Sequence, residues 1–158
     1  MCQSLSLKVL YRNVQFTQLS PNKPLKRLRT RRRATPERSP LIREADKYHS
    51  AYIRQKGSDG VWQWCYTCGA RIPLSEIQNG HFMSRRFIRT RWNNINCHPC
   101  CHECNVTKGG NLKVYEAKPR TEYGDKAIDD LKMLARAGDK FTNEDIQKVI
   151  DLYKGLVF

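Results

Sequence analysis

Two pairs of cysteines, each with two residues between its members, constrain this chain more than any other feature. The pairs are Cys65-Tyr-Thr-Cys68 and Cys101-His-Glu-Cys104. Structural zinc is held tetrahedrally by four thiolates, and each pair offers two sulfurs from one tight turn. Because Cys97-His-Pro-Cys100 has the same spacing, spacing alone leaves open which of the two neighbouring pairs completes the metal site.

The beginning of the chain bears on the compartment in which these cysteines work. It has no basic region followed by a long apolar run, as a secretory signal would, and no apolar stretch reaches membrane-spanning length. We therefore expect a cytoplasmic protein with no membrane partner. In a reducing cytoplasm such cysteines bind metal more often than they form disulfides. A disulfide scaffold is the alternative, and it fits this compartment poorly.

The charge of the chain bears on its partners. With 158 residues, the chain has room for one domain with a modest core. Its formal net charge is +14, and its pI is near 9.7. A polyanion such as DNA or RNA gains affinity from each phosphate that a basic side chain neutralises. We expect a nucleic-acid partner, and the alternatives are a solvated basic surface or a ribosome-associated protein.

Residues 1–38 differ from the rest of the chain and are predicted to form a basic, flexible arm. Residues 23–38 include eight lysines or arginines and one acid, and several prolines disfavour a continuous helix. We expect the arm to lie along a phosphate backbone, with Arg31, Arg32 and Arg33 among its contacts. The alternative is a disordered tail without a role in binding.

Residues 39–158 are predicted to form one folded domain that begins with a helix. Ser39-Pro40 is typical of a helix start, and the apolar residues that follow repeat at helical spacing. A helix is therefore expected over residues 40–56. His49 lies in the apolar stripe of that helix, and we interpret it as a packing residue.

The C-terminal third is predicted to be helical and to serve packing. A helix is expected over residues 124–138, where apolar residues lie on one face and Gly138 follows as a stop. Thr142 and Asp145 resemble a capping box at the start of a further helix.

The segment around the second cysteine pair is predicted to hold the chemistry. His81, near the end of a short strand, is the candidate general base, because its pKa near neutrality lets it take a proton from water. Residues 101–108 are expected to form a helix that ends at Gly109-Gly110. On that helix Asn105 follows Cys104 and is held beside the zinc site. Its amide oxygen is a ligand that Mg²⁺ accepts, and a divalent cation stabilises charge on phosphate.

A cluster of basic side chains lies between His81 and the second cysteine pair. No acid occurs between Met83 and Trp92, whereas four arginines do. Arginine suits phosphate because it donates two parallel hydrogen bonds. We expect these arginines, together with Lys108, to contact phosphate, and a solvated loop is the alternative. The arginines are Arg85, Arg86, Arg89 and Arg91.

A set of short motifs runs through residues 40–155. They are Ala51-Tyr-Ile-Arg54, Cys65-Tyr-Thr-Cys68-Gly69, Gly80-His81-Phe82, Arg91-Trp-Asn-Asn-Ile-Asn96, Cys101-x-x-Cys104-Asn105 and Lys108-x-Gly-Asn-Leu112. Together they resemble the HNH group of ββα-metal nucleases. Asn105 in the place of a final histidine, beside two cysteine pairs, is similar to the junction-resolving endonuclease of T-even phages. The closest resemblance is to the NinG (Rap) family of lambdoid phage recombination endonucleases, and it leaves out the basic arm.

The resemblance implies a fold and a set of roles. The implied fold is α+β and mainly helical, with a zinc-braced, HNH-like ββα-metal core of the His-Me finger type between N-terminal and C-terminal helices. The resemblance implies that Cys101 and Cys104 complete the zinc site. It also implies that Asn96 positions His81 and that Asn105 binds the catalytic Mg²⁺ or Mn²⁺.

One departure from the family pattern concerns the catalytic metal. Many HNH enzymes have an aspartate ligand directly before the catalytic histidine, and Gly80 occupies that place here. The candidates for a second ligand are Asn79, Gln78, Glu76 and water.

The resemblance further implies a metal-dependent endodeoxyribonuclease in the cytoplasm of a bacterial host. Its expected substrate is branched recombination DNA, such as D-loops and Holliday junctions, recognised by shape. Enzymes that cut junctions often act as dimers, so a homodimer is one candidate assembly. The main alternative is a zinc-stabilised nucleic-acid-binding module without catalysis. A redox protein that uses Cys97-His-Pro-Cys100 is disfavoured, because no thioredoxin-like pattern surrounds that motif.

Overall fold

The N-terminal helix begins close to the predicted position. The computed structural model describes residues 38–137 and 141–157, and helix α1 spans Arg38–Gln55. Pro40 lies in the first turn, where the N–H that proline lacks would have no intrahelical partner. Gly57 follows the helix with a φ of +79°, a conformation that glycine adopts without strain. The expected helix is confirmed.

The predicted basic arm lies outside the described residues, apart from Arg38 at the start of α1. The phosphate contacts expected from Arg31, Arg32 and Arg33 therefore stay predictions. Gly138, the expected stop of a C-terminal helix, also lies outside the described residues.

The first of two small antiparallel sheets presents a cysteine pair. β1 (Trp62–Trp64) pairs with β2 (Arg71–Pro73). The turn between these strands carries Cys65 and Cys68, and it closes with a hydrogen bond from the amide of Gly69 to the carbonyl of Cys65 (2.9 Å).

The second sheet carries the candidate base. β3 (Gln78–His81) pairs with β4 (Cys97–Cys100), so that His81 lies opposite Cys97. A long loop, which includes a 3₁₀ turn at Ile88–Thr90, joins the two strands. We call residues 82–96 the connecting loop. His81 thus lies at the end of a strand, as expected, where the chain enters this loop.

A short helical turn follows β4 and carries the second cysteine pair. Its central part, Glu103–Thr107, is π-helical. The amide of Lys108 donates to the carbonyl of Glu103 (2.9 Å), five residues earlier, which is the hydrogen bond that defines a π-helix. The helix predicted over residues 101–108 is therefore present in a different form. It ends at Gly109, whose φ of +57° is the left-handed conformation expected there.

Three further helices complete the described chain. They are α2 (Leu112–Tyr123), α3 (Asp125–Arg136) and α4 (Asn143–Lys154). The predicted capping box of α4 is confirmed: Thr142 Oγ1 accepts from the amide of Asp145 (3.1 Å), and the Asp145 carboxylate accepts from the amide of Thr142 (2.9 Å). The helix expected over residues 124–138 corresponds to α3. Helix α2 was not singled out, and its interior Pro119 works against a helix prediction.

The buried side chains form two clusters, which we call the helical core and the cysteine core. The helical core joins α1 to α4 and consists of Ala45, Trp92, Ile146, Ile150 and Tyr153. The cysteine core joins both sheets, the helical turn and α2, and consists of Cys65, Cys100, Cys101, Cys104 and Tyr115. His49 is buried with its ring against that of Tyr153 (4.7 Å between centroids), as expected for a packing residue.

The described residues confirm the predicted α+β class, mainly helical, with two small antiparallel sheets. None of the helices within residues 38–137 and 141–157 combines the length and the apolar character that crossing a bilayer requires.

Candidate active site and metal centre

Four sulfur atoms from the two cysteine pairs come together. The Sγ atoms of Cys65, Cys68, Cys101 and Cys104 all lie within 4.8 Å of one another. Those of Cys68 and Cys101 are 3.9 Å apart. Thiolates that share a tetrahedral zinc at bond lengths of about 2.3 Å are about 3.8 Å apart. The four cysteines could therefore hold a metal ion such as zinc.

The neighbouring cysteine pair has other contacts. Cys97 donates its thiol proton to the carbonyl of Arg91 (3.3 Å). Cys100 packs against Gly80, where an added Cβ would lie 2.5 Å from the Cys100 sulfur. Spacing alone had left open which pair completes the metal site. The cluster contains Cys101 and Cys104, the pair that the resemblance implied.

Hydrogen-bond donors surround the cluster. The amide of Cys101 donates to Cys65 Sγ (3.3 Å), and the side chain of Asn111 donates to Cys104 Sγ (3.8 Å). Such donors favour the charged thiolate. Burial nevertheless raises the pKa of Cys101 to about 12, and it raises the pKa of Cys68 as well. A bound cation would offset this cost and hold the sulfurs as thiolates near neutral pH.

His81, the predicted general base, lies half-buried at the end of β3. Its Nε2 is 3.1 Å from the carbonyl oxygen of Arg91. Since a carbonyl only accepts, Nε2 carries the proton, and Nδ1 carries the lone pair of the neutral ring. Burial lowers the pKa of His81, although hydrogen bonds to the backbone of Arg91 and of Asn79 oppose this shift. The imidazole is therefore neutral at pH 7, which is the form that can accept a proton.

Asn96 is fully buried and holds the connecting loop. Its Oδ1 accepts from the amide of Met83 (2.6 Å), and its Nδ2 donates to the carbonyls of Met83 (3.1 Å) and Thr90 (2.8 Å). Its side-chain amide therefore bonds to the loop beside the imidazole. Any effect of Asn96 on His81 is therefore transmitted through this loop. The predicted role of Asn96 in positioning His81 stays a prediction.

Asp46 on α1 holds the same loop from the other side. Its carboxylate accepts from Nε and Nη2 of Arg91 (2.7 and 2.5 Å) and from Nε1 of Trp92 (2.9 Å). The remaining Nη1 of Arg91 donates to the carbonyl of Arg85 (2.7 Å). The guanidinium of Arg91, expected to bind phosphate, is thus engaged within the protein.

A cleft of about 820 Å³ opens beside the imidazole, and both His81 and Asn105 line it. Nδ2 of Asn105 donates to Oε1 of Gln78 (2.7 Å), which leaves Oδ1 of Asn105 as the oxygen able to accept a cation. Asn79 and Glu76 line the cleft as well. The three side chains considered as second metal ligands are therefore all at this site.

Several residues of the cleft were not predicted. Asp46, Ser50 and Arg54 line it from α1, and His102 lines it from the start of the helical turn. The three residues of α1 follow one another at intervals of four, which places them on one helix face. That spacing was the available signal, although the helix itself was predicted from its apolar face.

The predicted phosphate contacts differ in their positions. Among those in the described residues, Arg85 alone lines the cleft. Arg86 is exposed and Arg89 is half-buried. Lys108 is exposed outside the lining of the cleft, and its Nζ lies 3.7 Å from a carboxylate oxygen of Glu103.

The motifs that frame this site identify the family of the chain. Residues 6–157 match a family model described as Bacteriophage Lambda NinG protein. The chain belongs to the NinG family. The predicted resemblance to the NinG family is thereby confirmed. The expectation that it would leave out the basic arm was too narrow, because the NinG match begins at residue 6.

Individual NinG proteins of phages also match the chain. The ninG protein of Escherichia phage lambda is 29% identical over 107 residues, which are 67% of this chain and 50% of that protein. The ninG protein of Salmonella phage P22 is 28% identical over 107 residues, which are 67% of this chain and 51% of that protein. The chain spans about half the length of these NinG relatives. No solved structure matches it.

Proposed function

We propose that this NinG-family chain is a metal-dependent endonuclease that hydrolyses phosphodiesters of branched DNA in the cytoplasm of a bacterial host. The observation that carries the proposal is the cleft that the neutral imidazole of His81 shares with the amide of Asn105. The net charge of +14 supports a polyanionic substrate. The preference for branched DNA follows from the resemblance and implies recognition of shape.

In this proposal His81 is the general base. Its Nδ1 accepts a proton from a water molecule aligned with the phosphorus atom, and the water oxygen attacks. The imidazolium that results keeps its Nε2–H bond to the Arg91 carbonyl, which stabilises the positive charge. Asn96 and Asp46 hold that carbonyl in place through the connecting loop.

Asn105 would hold the catalytic cation through its Oδ1. Mg²⁺ and Mn²⁺ prefer oxygen ligands, and the nearby carboxylate of Glu76 is the charged candidate for a second ligand. Position 80 cannot supply one, since a side chain there would collide with the sulfur of Cys100. When bound, the cation supplies stabilisation of the charge that develops on the phosphate and the leaving oxygen.

The cysteine cluster would bind zinc and brace an HNH-like ββα arrangement. β3 carries His81, and the antiparallel β4 leads directly into the helical turn. That turn carries Asn105 immediately after Cys104. Zinc bound to Cys104 would therefore hold the amide at a set distance from the imidazole, which supports the positioning that catalysis needs.

The phosphate contacts of the proposal follow the lining of the cleft. Arg85 and Arg54 line it and are proposed to contact the scissile strand. Arg86 and Lys108 are exposed and would contact flanking phosphates. Arg91 instead holds the connecting loop through Asp46.

The test uses a four-way junction and a linear duplex, each incubated with protein in magnesium, manganese or EDTA. The protein should cut the junction with either cation and not in EDTA. His81→Ala should cut about 10²- to 10⁴-fold more slowly while binding the junction normally. Lys126→Ala, an exposed change on α3, is the control and should cut normally. Cutting by His81→Ala at the normal rate would contradict the proposal.

A zinc-stabilised nucleic-acid-binding module without catalysis is the second candidate. The observation that favours it is Gly80, which stands where many HNH enzymes carry a metal-binding aspartate. The Cys100 sulfur leaves no room for such a side chain. Tight binding of the junction, with no cutting under any divalent cation, would support the module.

A further inference from the structure

The outer face of β1 exposes an unusual group of apolar side chains. Trp64 is 57% exposed and Trp62 37%, and Val61 beside them is 63% exposed. The two indoles share one face because residues i and i+2 of a strand point the same way. Gln63 between them points inward and is buried. Trp92, the third tryptophan of the chain, lies in the helical core. Contiguous exposed apolar groups of this kind mark interaction sites.

This face is held firmly by polar contacts beneath and beside it. The side-chain amide of Gln63 donates to the carbonyls of Arg54 and Lys56 at the end of α1 (2.9 Å each). The carboxylate of Asp59 accepts from the amides of Val61 (2.9 Å) and Trp62 (2.6 Å). The strand is therefore tied to α1 and to the preceding turn, so its indoles are presented by a fixed backbone.

A cation accompanies the indoles. The guanidinium of Arg71, on the neighbouring β2, lies 4.8 Å from the centroid of the Trp62 ring. In the strand register Arg71 is also the partner of Trp64. Arg71 is exposed and forms an ion pair with Asp59 (3.3 Å). Aromatic faces next to arginine are the combination by which proteins stack unpaired nucleobases and contact their phosphates.

A hollow near the start of β1 adjoins the candidate active site. The hollow, of about 440 Å³, is lined by Val61, which directly precedes Trp62 in the chain. Arg54 and Ser75 line both this hollow and the larger cleft that contains His81. A DNA strand that leaves the cleft past the Arg54 guanidinium would therefore reach the start of β1.

We propose that Trp62 and Trp64, with Arg71, form a stacking site for unpaired nucleobases of single-stranded DNA. The site extends the cleft through the hollow at Val61, and its use beside a branch point rests on the proposed function. Branch points expose unpaired bases, whereas a blunt duplex keeps its bases stacked inside. Stacking tolerates any base, so this site adds preference for single-stranded regions without sequence bias.

The test is a fluorescence titration without added magnesium or manganese, so that cutting does not interfere and any zinc on the cysteine cluster is retained. A single strand of about 12 nucleotides, within the range of known single-strand sites, should quench the exposed indoles far more than a blunt duplex does. Trp64→Ala should weaken binding of the single strand about tenfold, and Trp64→Phe should restore most of it. In Trp62→Ala/Trp64→Ala the quenching should disappear, and the buried Trp92 should still report a folded protein.

Met133→Ala is the matched control, because Met133 is an apolar residue that is 69% exposed on α3 and belongs to neither strand of this sheet. It should bind the single strand normally. The proposal is overturned if Trp64→Ala binds the single strand as tightly as the unaltered protein. It is also overturned if Trp64→Ala changes only the sedimentation of the protein, which would identify the face as a contact between two copies. Quenching without any cutting of junctions would retain the stacking site and reject the nuclease.

Discussion

The helical core and the cysteine core hold the same chain together by different means. In the helical core, Ile146 and Ile150 are almost completely buried between α1 and α4, and hydrophobic burial needs no partner other than another apolar surface. At the cysteine core, the sulfurs of Cys65, Cys68, Cys101 and Cys104 lie within 4.8 Å of one another, and burial raises the pKa of Cys68 and of Cys101. Apolar burial accounts for the helical core, whereas the cysteine core adjoins four sulfurs that could hold a metal ion such as zinc.

The candidate active site takes parts from both cores. Asp46 belongs to α1, which contributes to the helical core, and it holds the connecting loop by way of Arg91. Asn105 belongs to the helical turn of the cysteine core. The candidate site can therefore be disabled by changes in either core. Changes to the cysteine cluster should lower the zinc content of the protein, whereas changes to the helical core should leave it unaltered.

The largest effect is expected when the four-cysteine cluster alone is broken. Cys68→Ser removes one of the four thiolate ligands and should lose its zinc. The loss should be costly, because structural zinc contributes about 10–16 kcal/mol to folding in zinc-finger peptides. Zinc is measured by plasma mass spectrometry, and helix content is measured by circular dichroism. Cutting should be lost while much of the helical signal remains.

Cys97→Ser provides the matched control for this prediction. Cys97 lies outside the cluster, and a serine hydroxyl could still donate to the Arg91 carbonyl. This variant should keep its zinc. A full complement of zinc in Cys68→Ser, or its absence in Cys97→Ser, would contradict the assignment of the ligands.

Breaking the helical core should have the next largest effect. Ile150→Ala removes a buried side chain between α1 and α4 and should lower the free energy of unfolding by about 2–5 kcal/mol. Zinc content should stay unchanged, in contrast to Cys68→Ser. Leu152→Ala, 52% exposed on the same helix, should change stability by less than about 0.5 kcal/mol in urea unfolding. Equal losses in the two variants would argue against this core.

Loosening the connecting loop should have a smaller effect on stability. Asp46→Asn removes the charge that pairs with Arg91, whose side chain is only 18% exposed, and should cost about 1–3 kcal/mol of stability. It should also slow junction cutting, because the Arg91 carbonyl that orients His81 is less firmly held. Asp130→Asn, which disrupts the exposed pair with Lys126, should affect neither quantity. Normal cutting by Asp46→Asn would show that the ion pair does not position the base.

A further effect concerns pH and the burial of His49 against the helical core. Burial lowers the pKa of His49 to about 3, whereas in the unfolded chain it is about 6.5. Between these values the unfolded chain binds a proton that the folded chain does not. The stability is therefore complete above pH 6.5 and falls as the pH drops, by up to about 1.4 kcal/mol per pH unit.

His49→Gln should reduce that slope in urea unfolding measured between about pH 4 and 6.5. His102→Gln changes an exposed histidine and serves as the control, with the slope unaltered. An unchanged slope in His49→Gln would mean that His49 is protonated in the folded protein.

Much of the local structure could be predicted because its causes are local. Helix α1, the capping box at Thr142 and the glycine end at Gly109 each follow from one short segment. The two cysteine pairs also follow from spacing within a turn, and the choice of Cys101 over Cys97 needed the family motif. Helix α2 was not predicted, because its Pro119 opposes a helix locally and only the burial of Tyr115 and Pro119 favours one.

The residues that line the candidate site were predicted better than the contacts between them. His81, Asn105 and Arg85 do line one cleft, together with the open candidates Gln78, Asn79 and Glu76. The contribution of α1 was missed, because the value of Asp46 lies in a contact with Arg91, 45 residues away in sequence. For the same reason Arg91 was assigned to phosphate, although its guanidinium is engaged by Asp46.

The amino-acid sequence was enough to predict the elements whose hydrogen bonds close within a few residues, the two cysteine pairs and the membership in the NinG family. The folded structure was needed to show which carbonyl contacts His81, which carboxylate holds Arg91, and which residues of α1 line the cleft. The difference lies in the distance along the chain over which each contact forms. Local bonds depend on the order of neighbouring residues, whereas a partner for a buried charge or a half-buried imidazole is supplied by whichever segment packs beside it.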